Sequence, residues 1–441
     1  MKILSFLLLF LVVFHQASAQ DRTLSVYNPA EPVVSASGSI TLLPGFHVPA
    51  GSSFHAYISG YNTTPLAPAL SQNQNYIVTY TPRVPFSSGT DLSSKTVGEV
   101  MQSVQYFDGL GRPLQTVQTK GSPGADKDIV IPVEYDAFGR EVKKYLPYAS
   151  ASKDGSYKVD GLSAQGSFYQ APPAGVPTIL TPYAQTVFES SPLNRVLEQG
   201  APGNSWQPYS ASISGSGHTV KQEYSTNTAT GDRSVRLFHA DAGTVAGQRT
   251  LSSPGNYGAS QLYLTITKDE NWSSGKSGTT EEYKDKEGRV VLKRIWESES
   301  VRLSTYYVYD DLGNLSFVLP PGSGADGATP DQTKQDLWCY QYRYDERNRL
   351  IEKKVPGKGW DLMVYNKLDQ AVLTQDPLQR NNHQWTVIKY DAHGRVTITG
   401  LWNAGSLIQR ATLQSSIYAA AQWDTRDAAY PPDELHLASL N

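Results

Sequence analysis

One short motif recurs along this chain and limits what it can fold into. Seven recognisable copies of Tyr-Asp-x-x-Gly-Arg, several with substitutions, begin between residues 107 and 390. Consecutive copies begin 21 to 35 residues apart, except for one long gap between the copies at 135 and 284. The copy at residues 365–370 keeps only the tyrosine. The motif residues of the other six copies are Asp108, Gly111, Arg112; Tyr135, Asp136, Gly139, Arg140; Asp285, Gly288, Arg289; Tyr309, Asp310, Gly313; Tyr344, Asp345, Asn348, Arg349; and Tyr390, Asp391, Gly394, Arg395. A repeat of this period is typical of proteins in which each unit buries its apolar face against its neighbours.

Each copy predicts a tight turn between two β-strands. Asp at the first and Gly at the fourth position are typical of a type I turn, and the glycine then closes a three-residue loop with a β-bulge in the left-handed conformation. Asn348 replaces glycine in one copy and tolerates that conformation nearly as well. Asp136 and Arg140 would flank such a loop as a cross-strand pair, which contributes about 0.2–1 kcal/mol. We therefore predict positive φ at Gly139, Gly288 and Gly394.

Alternation along the strands separates two faces of each hairpin. One position outside the Asp-Arg pair, three copies set tyrosine opposite an aliphatic residue: Tyr309 with Leu315, Tyr344 with Leu350 and Tyr390 with Val396. Because side chains alternate with a period of two, these pairs lie on the face opposite the Asp-Arg pairs. A single hairpin is marginally stable in water and needs neighbours. We therefore predict an all-β fold, an array of antiparallel hairpins that forms a spiralling sheet, preceded by a small β element.

A second, longer repeat extends the array across the middle of the chain. Residues 194–206 and 348–360 both begin with Asn-Arg, continue through Pro-Gly and end at Trp. The arginine and the tryptophan are eleven residues apart in both segments. Agreement of these residue types at one spacing is improbable by chance, so we expect hairpins in the gap between the motif copies as well.

The composition favours strands and turns and excludes several kinds of site. The 36 Gly, 27 Pro and 27 Tyr residues are typical of a chain with many turns and aromatic strands. The 38 Lys and Arg nearly balance the 41 Asp and Glu, so the net charge of −3 leaves no basic field for nucleic acid. Cys339 is the single cysteine, which excludes an internal disulfide and any metal site with two thiolates.

The N-terminal residues predict export. Lys2 precedes an almost unbroken apolar run, Ile3–Phe14, which is followed by the small-x-small cleavage pattern Ala17-Ser18-Ala19. The run is shorter than the roughly 20 residues that a membrane span requires, and no later stretch is long and apolar enough to cross a membrane. We therefore predict a signal peptide over residues 1–19 and a secreted or cell-surface protein.

Shifts in composition divide the rest of the chain. Short apolar runs between Pro-Gly turns favour a small β element, and the Asn-, Thr-, Pro- and Ser-rich stretch after it favours a linker. The predicted parts are the signal peptide 1–19, a Gly- and Pro-rich β element 20–60, a linker 61–96, an N-terminal domain 97–210 with the first motif copies, a β-rich insert 211–275, and the main repeat array 276–441.

The motif copies resemble the YD-repeat, or RHS-repeat, family of large secreted polypeptides. The segment from Val97 to Trp206 resembles the uncharacterised N-terminal domain of exported bacterial RHS proteins, through Tyr106–Pro113 and Pro192–Arg195. Together the resemblance covers roughly residues 97–400. It implies a β-sheet that spirals into a hollow shell, which in many bacterial members encloses a C-terminal toxin released by self-cleavage.

The chain departs from that family pattern after the last motif copy. It ends at Asn441 with no family core motif, cleavage site or toxin, so we expect a truncated array, and toxin activity is not carried over. A short array would leave an open strand edge and an inward aromatic face in need of cover. The residues of that face are Tyr340, Tyr342, Tyr344 and Tyr390. We therefore expect self-association near residues 385–415, or a second polypeptide that continues the sheet.

Other motifs that suggest chemistry are weak. Residues 322–327 match Gly-x-Gly-x-x-Gly, but a dinucleotide site requires a strand before the motif and a helix after it, so we interpret them as a flexible loop between hairpins. His47 and His55 fit exposed strand positions better than a metal pair. The sequence contains no His-Glu-x-x-His pair and no Gly-x-Ser-x-Gly elbow. We predict no catalytic, metal or cofactor site; a Ser-His-Asp arrangement of distant residues stays open.

These observations favour a non-enzymatic, exported scaffold. It would be the N-terminal segment of an RHS-type shell that encloses or presents an effector absent from this chain. The alternative is a cell-surface module that binds carbohydrate or protein through exposed aromatic residues such as Trp206 and Trp360. A third and weaker alternative is an autonomous hydrolase. The expected partners are a continuing RHS polypeptide, a C-terminal effector or a surface partner, without nucleic acid or a membrane span.

The cleavage pattern generates the first prediction. Secreted material should begin at Gln20, because Ala17 and Ala19 present small side chains to the signal peptidase. N-terminal sequencing of the secreted chain measures this directly, and secreted protein that still begins at Met1 would contradict it.

Overall fold

The computed structural model describes residues 22–36, 40–58, 64–244 and 247–420. The predicted signal peptide and its cleavage site lie outside the described residues. The chain divides into two compact units, which are described separately. Unit 1 comprises Met1–Val187 and Gln199–Gly217, and unit 2 comprises Phe188–Glu198 and His218–Asn441. The predicted boundaries at 96, 210 and 275 stay predictions.

Strands dominate both units. The strands up to residue 200 are β1 Arg22–Leu24, β2 Val33–Ala36, β3 Ile40–Leu42, β4 His55–Ile58, β5 Asn75–Pro82, β6 Val100–Phe107, β7 Pro113–Gln118, β8 Ile129–Glu134, β9 Lys143–Tyr145, β10 Tyr148–Ala149, β11 Tyr183–Phe188 and β12 Val196–Gly200. Strands β11 and β12 include residues of both units. The later strands lie in unit 2 and are β13 Val220–Thr226, β14 Arg236–Ala242, β15 Arg249–Asn256, β16 Tyr263–Lys268, β17 Thr280–Lys284, β18 Val290–Trp296, β19 Arg302–Tyr309, β20 Leu315–Leu319, β21 Tyr340–Tyr344, β22 Leu350–Lys354, β23 Trp360–Tyr365, β24 Ala371–Gln375, β25 Gln384–Tyr390 and β26 Val396–Asn403.

Helices are few and short. The α-helices are α1 Gly161–Gln170, α2 Gln332–Trp338, α3 Pro377–Asn381 and α4 Arg410–Ala419. Single turns of 3-10 helix cover Leu92–Ser94, Asn204–Trp206 and Pro321–Ser323. In the part of the chain that the structure describes, no helix is both long and apolar enough to cross a membrane.

The small N-terminal element consists of two pairs of parallel strands, β1 with β3 and β2 with β4. Arg22 forms a 2.6 Å ion pair with Glu31, and the ring of Phe54 packs against those of Tyr27 and Phe46 at 6.2 and 5.1 Å. With so few apolar residues, this element depends on ring contacts rather than on an extended core.

The segment 61–96, predicted as a linker, contains strand β5. All eight residues of β5 pair with β6 in antiparallel register, from Asn75 opposite Phe107 to Pro82 opposite Val100. The side chains of Tyr76 and Val78 pack against the buried core of unit 1. The abundant Asn, Thr and Pro around β5 conceal this apolar alternation, which is why the composition favoured a linker.

Unit 1 is an antiparallel sheet covered on one face by helix α1. Strands β5 to β9 pair in chain order, β11 pairs with β9, and β10 pairs with β8. Tyr106 and Val117 on the sheet pack against Phe168 and Tyr169 of α1, and the Tyr169 hydroxyl donates to the carbonyl of Pro147 at 2.7 Å. The helix therefore encloses the unit 1 core.

Unit 2 is a longer run of antiparallel neighbours. Strand β13 pairs with β16, and from β16 to β26 each strand pairs with the next along the chain. Strands β14 and β15 form a separate hairpin, whose Phe238 packs edge-on against Tyr306 at 5.1 Å. The prediction of an all-β fold made of antiparallel hairpins is confirmed.

Helix α4 covers part of the unit 2 array. Its Leu413 is buried in a cluster with Val364, Leu373 and Trp385. Gln414 forms two hydrogen bonds with the backbone of Tyr365: its Oε1 accepts from the N–H at 3.0 Å and its Nε2 donates to the carbonyl at 2.7 Å. Residues 410–419 thus cover this apolar cluster, which does not include the four tyrosines of the predicted inward face.

The segment that matches Gly-x-Gly-x-x-Gly lies between strands β20 and β21, where a loop between hairpins was predicted, and it is partly buried. Ser323 and Ala325 are buried, and α2 follows, with Asp331 accepting from the N–H of Lys334. Beside Gly322 the space is filled by the ring of Trp338, because a Cβ there would lie 2.6 Å from a ring carbon. Burial fixes the segment, and the ring closes the approach that a phosphate would need.

The repeat turns have the predicted backbone. Six of the seven motif copies shift register at the turn, all but the copy at residue 135, and in all seven the left-handed position falls on the fifth residue of the motif, the fourth of the turn. Gly139, Gly288 and Gly394 have φ of 76°, 81° and 76°. Asn348 and Asp369 take the same place at 58° and 63°.

One turn offers a matched pair of glycines for a test. Gly111 has φ of 77°, whereas Gly109 lies outside the left-handed region, and a Cβ at either would meet nothing within 4 Å. We expect Gly111→Ala to lower the free energy of unfolding by about 1–2 kcal/mol, and Gly109→Ala to leave it unchanged or raise it by up to about 1 kcal/mol. Chemical denaturation measures both, and equal effects would contradict the bulged turn.

Candidate functional site

The aspartate of each motif closes its own turn. Asp108 Oδ1 accepts hydrogen bonds from the backbone N–H groups of Leu110 and Arg112 at 2.8 and 2.9 Å, and Oδ2 accepts from Arg112 Nε at 2.8 Å. One oxygen therefore holds the backbone of the loop, and the other holds the arginine side chain. We call this arrangement the turn clasp.

The turn clasp recurs with little variation. Asp136, Asp285, Asp345 and Asp391 make the same contacts, with 2.7 to 2.8 Å between Oδ2 and the arginine Nε. Asp310 pairs instead with the amide of Asn314 at 3.3 Å. In the least similar copy, Asn366 Oδ1 accepts from the N–H groups of Leu368 and Gln370 at 2.9 and 3.0 Å. The backbone contacts thus survive the loss of both charges.

These hydrogen bonds also affect protonation. Donation from the backbone of the motif arginine, helped by its side chain, holds the pKa of Asp108, Asp136 and Asp391 below the usual range of an aspartate. These three carboxylates therefore stay ionised under mildly acidic conditions and act as hydrogen-bond acceptors rather than as acids.

Three of the clasps also contact the next hairpin. The Arg112 guanidinium lies 4.6 Å from the ring centre of Tyr135, Arg289 lies 5.1 Å from Tyr309, and Arg349 lies 4.8 Å from Tyr365. These distances are within the range of cation–π attraction. The predicted separation of tyrosine and arginine onto opposite faces therefore holds for one hairpin at most, because between neighbours the two side chains meet.

The tyrosine hydroxyl makes a second tie to the preceding hairpin. In four copies it donates to the carbonyl of the residue that directly follows the preceding motif. The pairs are Tyr309 to Val290 at 3.1 Å, Tyr344 to Leu315 at 3.0 Å, Tyr365 to Leu350 at 2.7 Å and Tyr390 to Ala371 at 2.9 Å. Sequence reasoning missed this contact, although a tyrosine directly before four of the turns in unit 2 was its signal.

Unit 2 contains a further clasp that the motif search did not find. Glu189 accepts from Arg195 Nη2 at 2.7 Å and from Nε at 2.9 Å, and Asn194 has φ of 51°. Arg195 lies 4.4 Å from the ring of Tyr224, whose hydroxyl donates to the carbonyl of Val196 at 2.9 Å. Glutamate in place of aspartate and a longer loop hid this copy, although its Asn-Arg was recognised in the longer repeat.

The tryptophans of the longer repeat do not occupy equivalent places. Trp206 ends a turn of 3-10 helix and is 43% exposed, whereas Trp360 begins β23 and lies 3.9 Å from the guanidinium of Arg343. The two segments share the Asn-Arg turn and diverge after it. An exposed aromatic surface at Trp206 therefore has no counterpart at Trp360.

A cavity of about 290 Å³ in unit 2 lies beside two turn clasps. Its lining includes Asp285, Asp310 and Asp311, with Tyr257 and Tyr309. Asp285 is bound by Arg289 at 2.7 Å, and Arg249 binds both Asp310 and Asp311, at 3.3 and 2.8 Å. These three carboxylates are thus committed to arginines. Among the described residues, no group of three or more His, Cys, Asp and Glu side chains is arranged to hold a metal ion.

Comparison with known proteins places part of the chain in a recognised domain. A family described as a domain of unknown function (DUF6443) matches residues 78–222. This segment includes the two motif copies of unit 1 and the Glu189 clasp. No curated protein matches the chain.

Three solved structures show the nature of the structural matches. "Crystal Structure of TcdB2-TccC3-Cdc42" matches at 14% identity and a TM-score of 0.44, over 70% of this chain and 13% of that one. "Crystal Structure of TcdB2-TccC3 without hypervariable C-terminal region" matches at 15% identity and a TM-score of 0.43, over 69% of this chain and 12% of that one. "Structure of Photorhabdus luminescens Tc holotoxin pore, Mutation TccC3-D651A" matches at 14% identity and a TM-score of 0.42, over 70% of this chain and 13% of that one. This chain spans about an eighth of the length of the chains it matches.

The Glu189 clasp generates a prediction about pH. Hydrogen bonds from Arg195 and then from Ser191 lower the pKa of Glu189 to about 2. A carboxylate with a depressed pKa contributes stability above its unfolded pKa, about 4.3, and loses it as the pH falls through the folded value. Glu189→Gln should therefore weaken the acid dependence of the free energy of unfolding between about pH 4.5 and 2.

Glu346→Gln is the matched control, because Glu346 is an exposed glutamate inside another repeat turn. Denaturant titrations at a series of pH values should give the native acid dependence for this control. An unchanged acid dependence in Glu189→Gln would show that the clasp does not contribute through its charge.

Proposed function

We propose that this protein is an exported, non-enzymatic scaffold that forms the N-terminal segment of an RHS-type shell. In this function its hairpins wind into part of a wall that encloses or presents an effector carried on another segment or another chain. The proposed partners are a continuing RHS polypeptide, a toxin-type effector or a surface partner. The resemblance of the motif copies to YD repeats is the basis for proposing a shell.

The use of the motif residues supports this proposal most strongly. In five copies the aspartate binds the loop backbone and the arginine binds the aspartate, and in three of these the same arginine also lies against the next tyrosine. Four of the tyrosines then bind the previous hairpin. The motif carboxylates, guanidinium groups and hydroxyls, which a catalytic site would use to bind substrate, instead bind turns and neighbouring hairpins. Contacts of this kind are what a shell wall made of hairpins requires.

A carbohydrate- or protein-binding surface module is the second candidate. Trp206 and Tyr209 support it, since both belong to unit 1 and are 43% and 76% exposed. Exposed aromatic rings of this kind stack on sugars and anchor interfaces. A glycan array with the mature chain distinguishes the two functions: binding lost in Trp206→Ala but kept in Trp360→Ala would favour the module.

Self-association tests the scaffold. Val396 and Ile398 on one face of β26 and Leu401 on the other are 55%, 44% and 58% exposed, and exposed apolar side chains favour association with another chain. We expect the mature chain to form dimers or larger species as its concentration rises, measured by sedimentation velocity. Replacing the three residues by Thr, Thr and Gln should shift it towards monomer.

Ile295→Thr with Leu303→Thr is the matched control, because these exposed cross-strand neighbours lie on β18 and β19, away from β26. The control should associate like the native chain. A native chain that is a monodisperse monomer and binds no hydrophobic dye would end the interpretation as a shell segment. An unchanged circular dichroism spectrum confirms that each variant is folded.

A further inference from the structure

A cluster of charged side chains is buried in unit 1, apart from the turn clasps. Asp128 is fully buried and Lys158 is 8% exposed. Lys158 Nζ lies 2.8 Å from Asp128 Oδ2, 3.3 Å from Asp154 Oδ1 and 3.1 Å from Ser156 Oγ. Two charges taken out of water at this depth lose solvation that their attraction only partly restores.

The two oxygens of Asp128 are held in different ways. Oδ1 accepts from the backbone N–H of Lys120 at 2.8 Å, and Oδ2 accepts from the backbone N–H of Gly155 at 2.9 Å. The carboxyl group is thus fixed with its Oδ2 side towards the lysine. A fixed backbone donor on Oδ1 is also the arrangement that stabilises negative charge on a carbonyl oxygen during acyl transfer.

A third carboxyl group lies beside the pair. Asp154 is partly exposed at its side chain, and its Oδ1 contacts the ammonium of Lys158. A carboxylate in contact with the nitrogen can take up a proton and return it, which is the task of a general acid and base. The three side chains therefore comprise a nucleophile, an acyl group and a proton carrier.

We propose that Lys158 and Asp128 join in an intramolecular isopeptide bond. The ammonium of Lys158 gives one proton to Asp154, and the neutral amine attacks Cγ of Asp128. Negative charge develops on Oδ1, where the Lys120 N–H receives it. Asp154 delivers the first proton to Oδ2, takes a second proton from the attacking nitrogen and delivers it to the same oxygen, and the C–Oδ2 bond breaks. The nitrogen loses two of its three protons, Oδ2 leaves with both as one water, and no oxidant or reductant takes part.

Two buried acceptors lie near the oxygen that leaves. Thr119 Oγ1 and Gln102 Oε1 have no hydrogen-bond partner among the described residues. They flank Gly155, where a Cβ would lie 2.5 Å from the first and 3.5 Å from the second. Buried polar atoms without partners are rare and commonly mark an ordered water. The released water would find acceptors beside the Gly155 N–H.

The bond would replace a buried ion pair by a neutral amide and tie together two segments 30 residues apart in sequence. A covalent closure of this kind restricts the unfolded chain as a disulfide does. The single cysteine rules out an internal disulfide, so a covalent tie within this chain has to use other side chains. The inference is independent of the proposed shell.

Mass spectrometry of the purified mature chain tests the bond. The intact denatured protein should be lighter than its sequence by one water molecule. After trypsin, Asp128–Arg140 should appear joined to Asp154–Arg195, with no cleavage after Lys158, because an acylated lysine is not a trypsin site. A full-mass chain with a free Lys158 would overturn the proposal. Loss of water found within a single peptide that is not cross-linked to another would also overturn it.

Two variants separate the chemistry from a merely structural ion pair. Lys158→Arg keeps the charge but cannot form the amide, so it should have full mass. Asp154→Asn changes a partly exposed side chain and should keep the fold, with cross-linking slowed at least tenfold in a pulse-chase. A folded Asp154→Asn chain that cross-links at the native rate would remove Asp154 from the mechanism. Asp126→Asn is the control on an exposed aspartate nearby and should cross-link normally.

Discussion

The hydrogen bonds that one aspartate accepts from the backbone N–H groups of its own turn underlie the repeat array. A surface ion pair alone contributes little to stability, but Asp108 Oδ1 also holds two backbone N–H groups of the loop. It therefore fixes the left-handed residue that follows and the register of both strands. The arginine is in turn positioned by the second oxygen, and only a positioned guanidinium can meet the next ring at a constant distance.

The tyrosine converts separate hairpins into an array. Tyr365 lies against Arg349 and donates to the carbonyl of Leu350, so both contacts of one side chain go to the previous hairpin. Stability in such a structure is largely the sum of contacts between nearest neighbours. Tyr224 makes the same two contacts with the Glu189 clasp, since its ring lies against Arg195 and its hydroxyl donates to the carbonyl of Val196. These contacts are therefore kept when glutamate replaces aspartate and the loop is longer.

Local geometry was predictable from the sequence, and contacts between distant segments were not. The glycine positions and the pairs Tyr309 with Leu315 and Tyr390 with Val396 follow from turn chemistry and a period of two. Strand β5 was missed because its alternation is short and lies among Asn, Thr and Pro. Helix α1 was missed because Gly161 and Gly166 interrupt it, and its burial against Tyr106 comes from tertiary contacts. The contact between Arg112 and Tyr135 was not predictable, because it forms only when neighbouring hairpins pack together.

The copy at residues 365–370 shows which property of the clasp matters. Asn366 and Gln370 carry no charge, yet the loop N–H bonds, the left-handed fourth residue at Asp369 and the bond from the next tyrosine are all present. Acceptor geometry is therefore sufficient for the turn. The charge is used where a guanidinium lies against a ring, as at Arg349, which also binds Asp369 in the turn of residues 366–369 at 2.8 Å. A neutral clasp is thus tolerated where its neighbour supplies the arginine.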